Sequence, residues 1–269
     1  MTTDTKTLPL PAQTRTIVIA NQKGGVAKTT TTVNIGAALA EAGATVLIID
    51  LDPQGNASTA LDIDKHAEDM LSIYDVLIED KPLDEAMQET AFSGNLYCVP
   101  ATIDLAGAEI ELFSLINREN RLKLALEACD MGFNYILIDC PPSLGLLTVN
   151  AFAAGHEILV PIQCEFYALE GVSQLIGSVD QIQKHLNPSL HISTVLLTMY
   201  DARTNLADQV AEQVRMHFPE QTLKTKIPRS VRAAEAPSHG KTLIEYEPGG
   251  PAALAYVEAA RELAERGVR

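Results

Sequence analysis

Apolar residues along this chain fall into two kinds of run. Short, uninterrupted, β-branched runs bounded by turn residues occupy positions 16–19, 44–50, 95–100, 134–139, 157–161, 192–198 and 223–227. Their length and lack of alternation predict strands buried on both faces of a parallel sheet. Between them lie stretches with helical spacing at 30–40, 72–78, 83–87, 168–185, 206–217 and 252–266. The run 103–129 sets Leu105, Ile110, Leu112, Leu115, Ile116, Leu122, Leu124 and Leu126 at roughly helical spacing, broken near 117–120, and these are read as core faces. Strands that alternate with helices imply an α/β fold, a predominantly parallel twisted sheet with helices on both faces. Residues 1–14, rich in Thr and Pro, are read as a flexible tail, and 15–269 as a single domain.

The first strand runs into Ala20-Asn-Gln-Lys-Gly-Gly-Val-Ala-Lys-Thr-Thr30, and a helix follows directly. Strand, glycine loop, helix is the context a phosphate loop requires. Backbone N–H groups of such a loop and of the helix start surround phosphate oxygens, a lysine adds charge and a hydroxyl ligates Mg²⁺. Gly24, Gly25, Val26 and Ala27 would form the cradle, Lys28 the charge, Thr29 the metal ligand and Thr30 the next helical contact. The common pattern Gly-x-x-x-x-Gly-Lys-[Ser/Thr] would need glycine at Gln22 and Ala27, and a second lysine, Lys23, opens the loop instead. The plain alternative is a Gly-Gly turn with two solvated lysines.

Two further strands end in carboxylates. The run 44–50 leads into Asp50-Leu-Asp-Pro-Gln-Gly-Asn56, and 134–139 closes on Asp139 before Cys140-Pro-Pro-Ser143. Ligands of open α/β sheets collect at the carboxyl ends of strands, which should turn Asp50, Asp52 and Asp139 toward the loop. Asp50 and Asp139 are read with Thr29 as residues of a Mg²⁺ site, Asp139 in the shell of the ion through water.

Composition narrows the setting. A chain of 269 residues with 46% hydrophobic residues can bury a core of ordinary size. Its net charge of −15 argues against nucleic-acid or membrane partners unless a local patch serves them. One such patch lies at 222–241, where Lys224, Lys226, Arg229, Arg232 and Lys241 face only Glu235, a local excess of four positive charges. The amino-terminal stretch lacks the apolar core of a signal peptide and no run approaches the ~18 residues that span a bilayer, so a cytoplasmic protein is expected. Cys98, Cys129, Cys140 and Cys164 stand far apart and are read as core thiols.

The Lys-Gly-Gly loop with its early lysine resembles the deviant Walker A motif of the ParA/MinD group of ATPases. Asp-x-Asp-Pro-Gln-Gly-Asn resembles that group's Walker A′ motif, and Asp139 its Walker B aspartate. Pro-Ala-Thr with Leu-Ala-Gly-Ala-Glu, and Ile-Asp-Cys-Pro-Pro-Ser-Leu-Gly-Leu-Leu-Thr, resemble the chromosomal ParA (Soj) proteins, over about residues 15–265. The resemblance implies that Lys28 binds phosphates, Thr29 Mg²⁺, and that Lys23 reaches the nucleotide of a partner subunit while Asp52 supports attack by water. It implies ATP and Mg²⁺ as cofactors, a homodimer formed on ATP binding and slow hydrolysis stimulated by a ParB-type partner. Pro228 corresponds to a wall of the adenine pocket, though a simple turn proline reads equally well. Arg203 and Arg232, with Lys241 in the same patch, match a surface that binds double-stranded DNA without sequence preference, and so a nucleoid-associated protein. Ala27 stands where most members have glycine, which puts nucleotide affinity in question if the backbone there is left-handed.

Three alternatives stay open. A MinD-like membrane positioner would end in a basic amphipathic helix, whereas residues 256–269 alternate signs and lack bulky apolar residues on one face, so no membrane partner is expected. A nitrogenase-reductase-like protein would bridge a cluster with paired cysteines. A ParA-like protein positioning a protein cargo would share all of the ATPase chemistry.

Overall fold

The computed structural model describes residues 8–92, 95–166, 168 and 170–267. Residues 1–7 of the expected tail lie outside the described residues, as does residue 169 of the expected helix 168–185. Chain order is β1 (Arg15–Ile19), α1 (Lys28–Glu41), β2 (Val46–Asp50), α2 (Asn56–Ala60), α3 (Ile73–Ile78), β3 (Gln88–Glu89), β4 (Leu96–Val99), α4 (Leu105–Leu112), α5 (Arg121–Ala128), β5 (Tyr135–Asp139), α6 (Leu146–Ala154), β6 (Glu157–Gln163), α7 (Glu170–His185), β7 (His191–Tyr200), α8 (Asn205–His217), β8 (Thr222–Pro228), α9 (Arg232–Glu235), α10 (Leu243–Tyr246) and α11 (Pro251–Arg266). A 3₁₀ turn, Ala236–His239, follows α9.

The eight strands form one sheet in the order β3-β4-β2-β5-β1-β6-β7-β8. Every neighbouring pair is parallel except the short β3 against β4. Strand side chains alternate between faces, so the unbroken apolar runs feed two cores. In β2, Leu47 and Ile49 join a core with α3 to α8, while Val46 and Ile48 join a core with α1 and α11. This is the predicted two-faced architecture.

Some expectations fail. Residues 83–87 form turns rather than a helix, with Met87 N donating to the Asp84 carbonyl at 3.4 Å before the chain enters β3. Five residues close too few helical hydrogen bonds to offset nucleation, and Pro82 adds no N–H. The helix α6 lies in a Leu/Ala/Phe-rich stretch without amphipathic period because its sides are mostly buried, so periodicity does not reveal it. In the run 103–129, Leu105, Leu112 and Leu122 are core, but Ile110, Ile116 and Leu124 are exposed. Helices of eight residues cannot turn every apolar position inward. Cys98, Cys140 and Cys164 are buried thiols and Cys129 is half-buried. Among the described residues no helix is long and apolar enough to cross a membrane.

Candidate functional site

Register places the key strand ends side by side. Ile19, the last residue of β1, pairs with Asp139 of β5, and Asp139 pairs with Asp50 of β2. The chain leaves β1 toward β2 and leaves the adjacent β5 toward β6, in opposite directions, so a crevice opens at the carboxyl ends of β1 and β5 where ligands of open sheets bind.

The loop 20–27 is pinned from both shoulders. Asn21 Nδ2 donates to the Pro161 carbonyl of β6 at 2.8 Å, and its Oδ1 accepts from Lys23 N at 3.0 Å. Thr198, fully buried in β7, donates its hydroxyl to the Val26 carbonyl at 3.1 Å. Two positions curl the loop back into α1 with left-handed backbone: Gly25 at φ 73 and Ala27 at φ 66. Glycine adopts this freely; for alanine it costs about 1–2 kcal/mol. The space beyond Gly24 and Gly25 is open to an incoming group, since a Cβ at either would meet nothing within 4 Å. Ala27 offers no side-chain cap to the first turn of α1, which leaves its N–H groups for an anion.

Lys28 is only 7% exposed, and its Nζ donates to the Lys23 carbonyl at 3.5 Å. Burial pulls its pKa down, against the opposing pull of Asp139, Cys140 and Asp52. A desolvated ammonium held this loosely favours a close anion. Thr29 Oγ1 donates to Asp139 Oδ2 at 2.7 Å, and Thr32 Oγ1 donates to Asp139 Oδ1 at 2.9 Å. Burial first, and then the charge of Asp50, push Asp139 well above the usual carboxylate range.

Asp50 is also fully buried and raised, chiefly by burial. Its Oδ2 accepts from Ser58 N at 2.9 Å and Ser58 Oγ at 2.7 Å, and its Oδ1 from Asp52 N at 3.2 Å. Asp50, beside Asp139 in the sheet, thereby anchors the turn 52–58. Asp52 stands at the mouth, half-exposed, with Oδ1 accepting from Gln54 N at 3.0 Å. Lys23 lies beside Glu165 at 3.9 Å, and the other oxygen of Glu165 faces Arg229 at 3.4 Å.

A cavity of about 310 Å³ adjoins the start of α1, bounded by Thr29, Thr30, Asn34, Ala233, Pro237 and Lys241 among others. Pro228 ends β8 and is not among the residues that line this cavity. Lys241 belongs to this cavity. Arg203, in the loop before α8, and Arg232, which opens α9, follow neighbouring strands, because β7 and β8 pair at Tyr200 and Pro228 and Arg229 N donates to the Tyr200 carbonyl at 3.1 Å. Both are exposed and paired locally, Arg203 with Asp201 at 2.8 Å and Arg232 with Glu235 at 2.8 Å.

Sequence reasoning missed Thr32, Ser58, Thr198, Asn21 and Glu165. Thr32 was legible, one turn after Lys28 and so on the same helical face. Nothing local marks Thr198, which meets the loop across 172 positions.

A family model described as an AAA domain matches residues 14–192, a span holding Lys23, Asp52 and Asp139. The chain is 54% identical to the sporulation initiation inhibitor protein Soj of Bacillus subtilis over 93% of its length and 98% of that protein's. It is 48% identical to the chromosome partitioning protein ParA of Myxococcus xanthus, over 94% of this chain and 88% of that one. The chain belongs to the Soj/ParA family. A solved structure of cobyrinic acid a,c-diamide synthase from Mycobacterium smegmatis, with bound ATP analog and magnesium, is 40% identical and superposes with a TM-score of 0.81, over 93% of this chain and 94% of that one. The arginine loops beyond residue 192 lie outside the matched AAA domain, yet the alignments to the Soj/ParA relatives span nearly the whole chain.

Proposed function

We propose that this chain is an ATP-hydrolysing partition protein: it binds ATP with Mg²⁺, pairs face to face with a second copy, and in that state binds double-stranded DNA without sequence preference. The observation that carries this reading is the join of loop and strand end, Thr29 Oγ1 to Asp139 Oδ2 at 2.7 Å beside the buried Lys28. Thr29 can keep donating its proton to Asp139 while its oxygen ligates Mg²⁺. With Mg²⁺ bound, Asp139 would orient that hydroxyl, and phosphate oxygens and water would supply the other ligands, as Mg²⁺ prefers. Among the described residues no cluster of three or more His, Cys, Asp or Glu could hold a metal by itself, which suits that arrangement. When bound, the metal neutralises phosphate charge.

Gly24, Gly25, Val26, Ala27 and Thr30 form the phosphate cradle, Lys28 supplies charge, and Asp52 at the mouth orients the attacking water. Lys23 leaves Glu165 to meet the phosphates of the partner's nucleotide, which only ATP makes favourable. Asp52 is short and must act through a well-placed water, and the loop carries no arginine, so hydrolysis is slow until a ParB-type partner stimulates it. Two copies of Arg203 and Arg232 on one dimer surface supply the phosphate contacts that the acidic monomer lacks. Such a protein works in the cytoplasm, on the nucleoid. The Mycobacterium smegmatis structure carries the name of a different reaction, but identity is higher to the Soj and ParA relatives, the second of which is named as a chromosome partitioning protein.

Light scattering on Asp52→Ala with ATP and with ADP tests the switch. A dimer with ATP and a monomer with ADP are expected, and a mass that ignores the nucleotide overturns it. A turnover rate unmoved by DNA and a ParB-type protein together would remove the regulatory half.

A further inference from the structure

The cavity beside α1 has walls from elements with different duties. Thr29 and Thr30 open α1 and face the phosphate site, while Ala233 and Ala234 of α9 and Pro237 of the 3₁₀ turn form another side. A nucleotide whose phosphates sit at Thr29 and Thr30 extends its sugar and base into this space of about 310 Å³, the size of a small-ligand site. Alanine and proline present methyl and ring carbons there, which suit the face of a flat aromatic base.

The same short segment carries Arg232, the first residue of α9. No residue of α9 is buried; it touches the core through the half-buried Ala233, and the first buried side chain is Ala236 in the 3₁₀ turn. Arg232 pairs with Glu235 at 2.8 Å, three residues on, a geometry that lasts only while α9 keeps its turn. The ends of the segment are fixed. Arg229 N donates to the Tyr200 carbonyl at 3.1 Å, and beyond the turn Leu243 N donates to Asn34 Oδ1 of α1 at 2.8 Å. Between these anchors α9 borders the cavity, and a stretch with so few buried contacts opens locally at little cost.

We propose that the base of the bound nucleotide, packing on Ala233, Ala234 and Pro237, fixes α9 and so positions Arg232 for DNA. The phosphates license pairing of two copies through Lys23; the base separately licenses the DNA surface. This rests on the ATP-switched reading above. Ala233 and Ala234 are positioning residues that act through Arg232. Linkage demands the converse as well, so DNA that engages Arg232 must hold the base more tightly.

The test uses the full chain carrying Asp52→Ala, with saturating Mg·ATP or Mg·UTP, whose single ring covers less of the alanine wall. Light scattering verifies the dimer, and anisotropy of a fluorescein-labelled duplex reads DNA affinity at several salt concentrations. The ATP dimer is expected to bind DNA at least about fivefold more tightly than the UTP dimer, and the duplex should slow ATP release by a similar factor. Ala233→Gly with Ala234→Gly loosens α9 without altering charge, and should weaken DNA binding by the ATP dimer at least about fivefold. It should also shrink the preference for ATP over UTP, which loss of structure alone would not do. Equal DNA affinity of the ATP and UTP dimers, or undiminished binding by the glycine pair, overturns the proposal. If UTP gives no dimer, the glycine pair with ATP decides; if the glycine pair fails to fold, the two nucleotides decide. A dimer whose DNA binding ignores the base sinks this inference alone, whereas no dimer with ATP sinks the reading beneath it too.

Discussion

The carboxyl ends of β1, β5 and β2 and those of β7 and β8 open on the same edge of the sheet, yet their charges are held by opposite means. In the central group Asp50 and Asp139 are fully buried and Lys28 nearly so. Their partners come from other elements: Ser58 from α2, and Thr29 and Thr32 from α1. At β7 and β8 the Arg203 and Arg232 side chains are 88% and 56% exposed, and each pairs with a carboxylate two or three residues away. A buried charge is defined by its surroundings and is costly to leave alone, so position decides what it does. A surface charge is screened, weakly held and replaceable, so number decides.

The largest expected effect tests the buried side of this contrast. Lys28→Ala should weaken ATP binding by at least about 100-fold, on the order of 3 kcal/mol, because a desolvated charge contact is lost. Titration calorimetry measures it, and a change under threefold would mean that the lysine does not meet phosphate. On the surface side, Arg203→Glu and Arg232→Glu should each lower the salt-dependence slope of DNA binding by roughly two or more in a dimer, with ATP-dependent dimerisation intact. Filter binding at several salt concentrations reads the slope. If only one of the two arginines mattered, position would count at the surface too and the contrast would blur.

Next in size is a pH effect that the surface group should not share. Burial raises Asp139 and Asp50 above the ordinary 3.8. For carboxylates raised in the folded state, the stabilisation is fully present below the unfolded pKa and is lost as pH rises through the folded one, from about 4 up to about 7. The nucleotide-free chain should therefore melt at a lower temperature at pH 8 than at pH 5, and Asp139→Asn should flatten that difference. Thermal melts across this window check it; a rise in melting temperature toward pH 8 would show that other groups dominate. The smallest effect sits in the loop itself. Ala27→Gly should raise stability by up to about 1 kcal/mol, since strain at φ 66 is relieved and only part of the gain is offset by glycine's greater freedom when unfolded. Chemical denaturation measures it, and a loss of stability would place the strain elsewhere.

The central group was also the more legible of the two in sequence. Lys23, Lys28, Thr29, Asp52 and Asp139 stand in contiguous motifs at the ends of apolar runs, because a phosphate site is built from loop backbone and strand termini. Asp50 was visible as a strand-terminal carboxylate, but its engagement with Ser58 was not. The arginines could be found by resemblance and by a local excess of charge, though their pairing with Asp201 and Glu235 could not. The run 103–129 misled, since helical spacing records that a face is apolar without recording whether anything covers it.

By itself the sequence determined the alternation of strands and helices, the two-faced sheet, the loop and its aspartates, because these depend on composition and spacing within short windows. Only the tertiary structure decided that Thr198 would hold Val26, that Asp50 would anchor the turn at Ser58, that Lys241 would line the cavity beside α1, and that Ile110 would face outward. The Thr198 to Val26 contact joins residues 172 positions apart, and even Asp50 and Ser58, eight apart, meet only because the turn between them folds back. Such contacts are chosen by which strands become neighbours, and no local pattern encodes that choice.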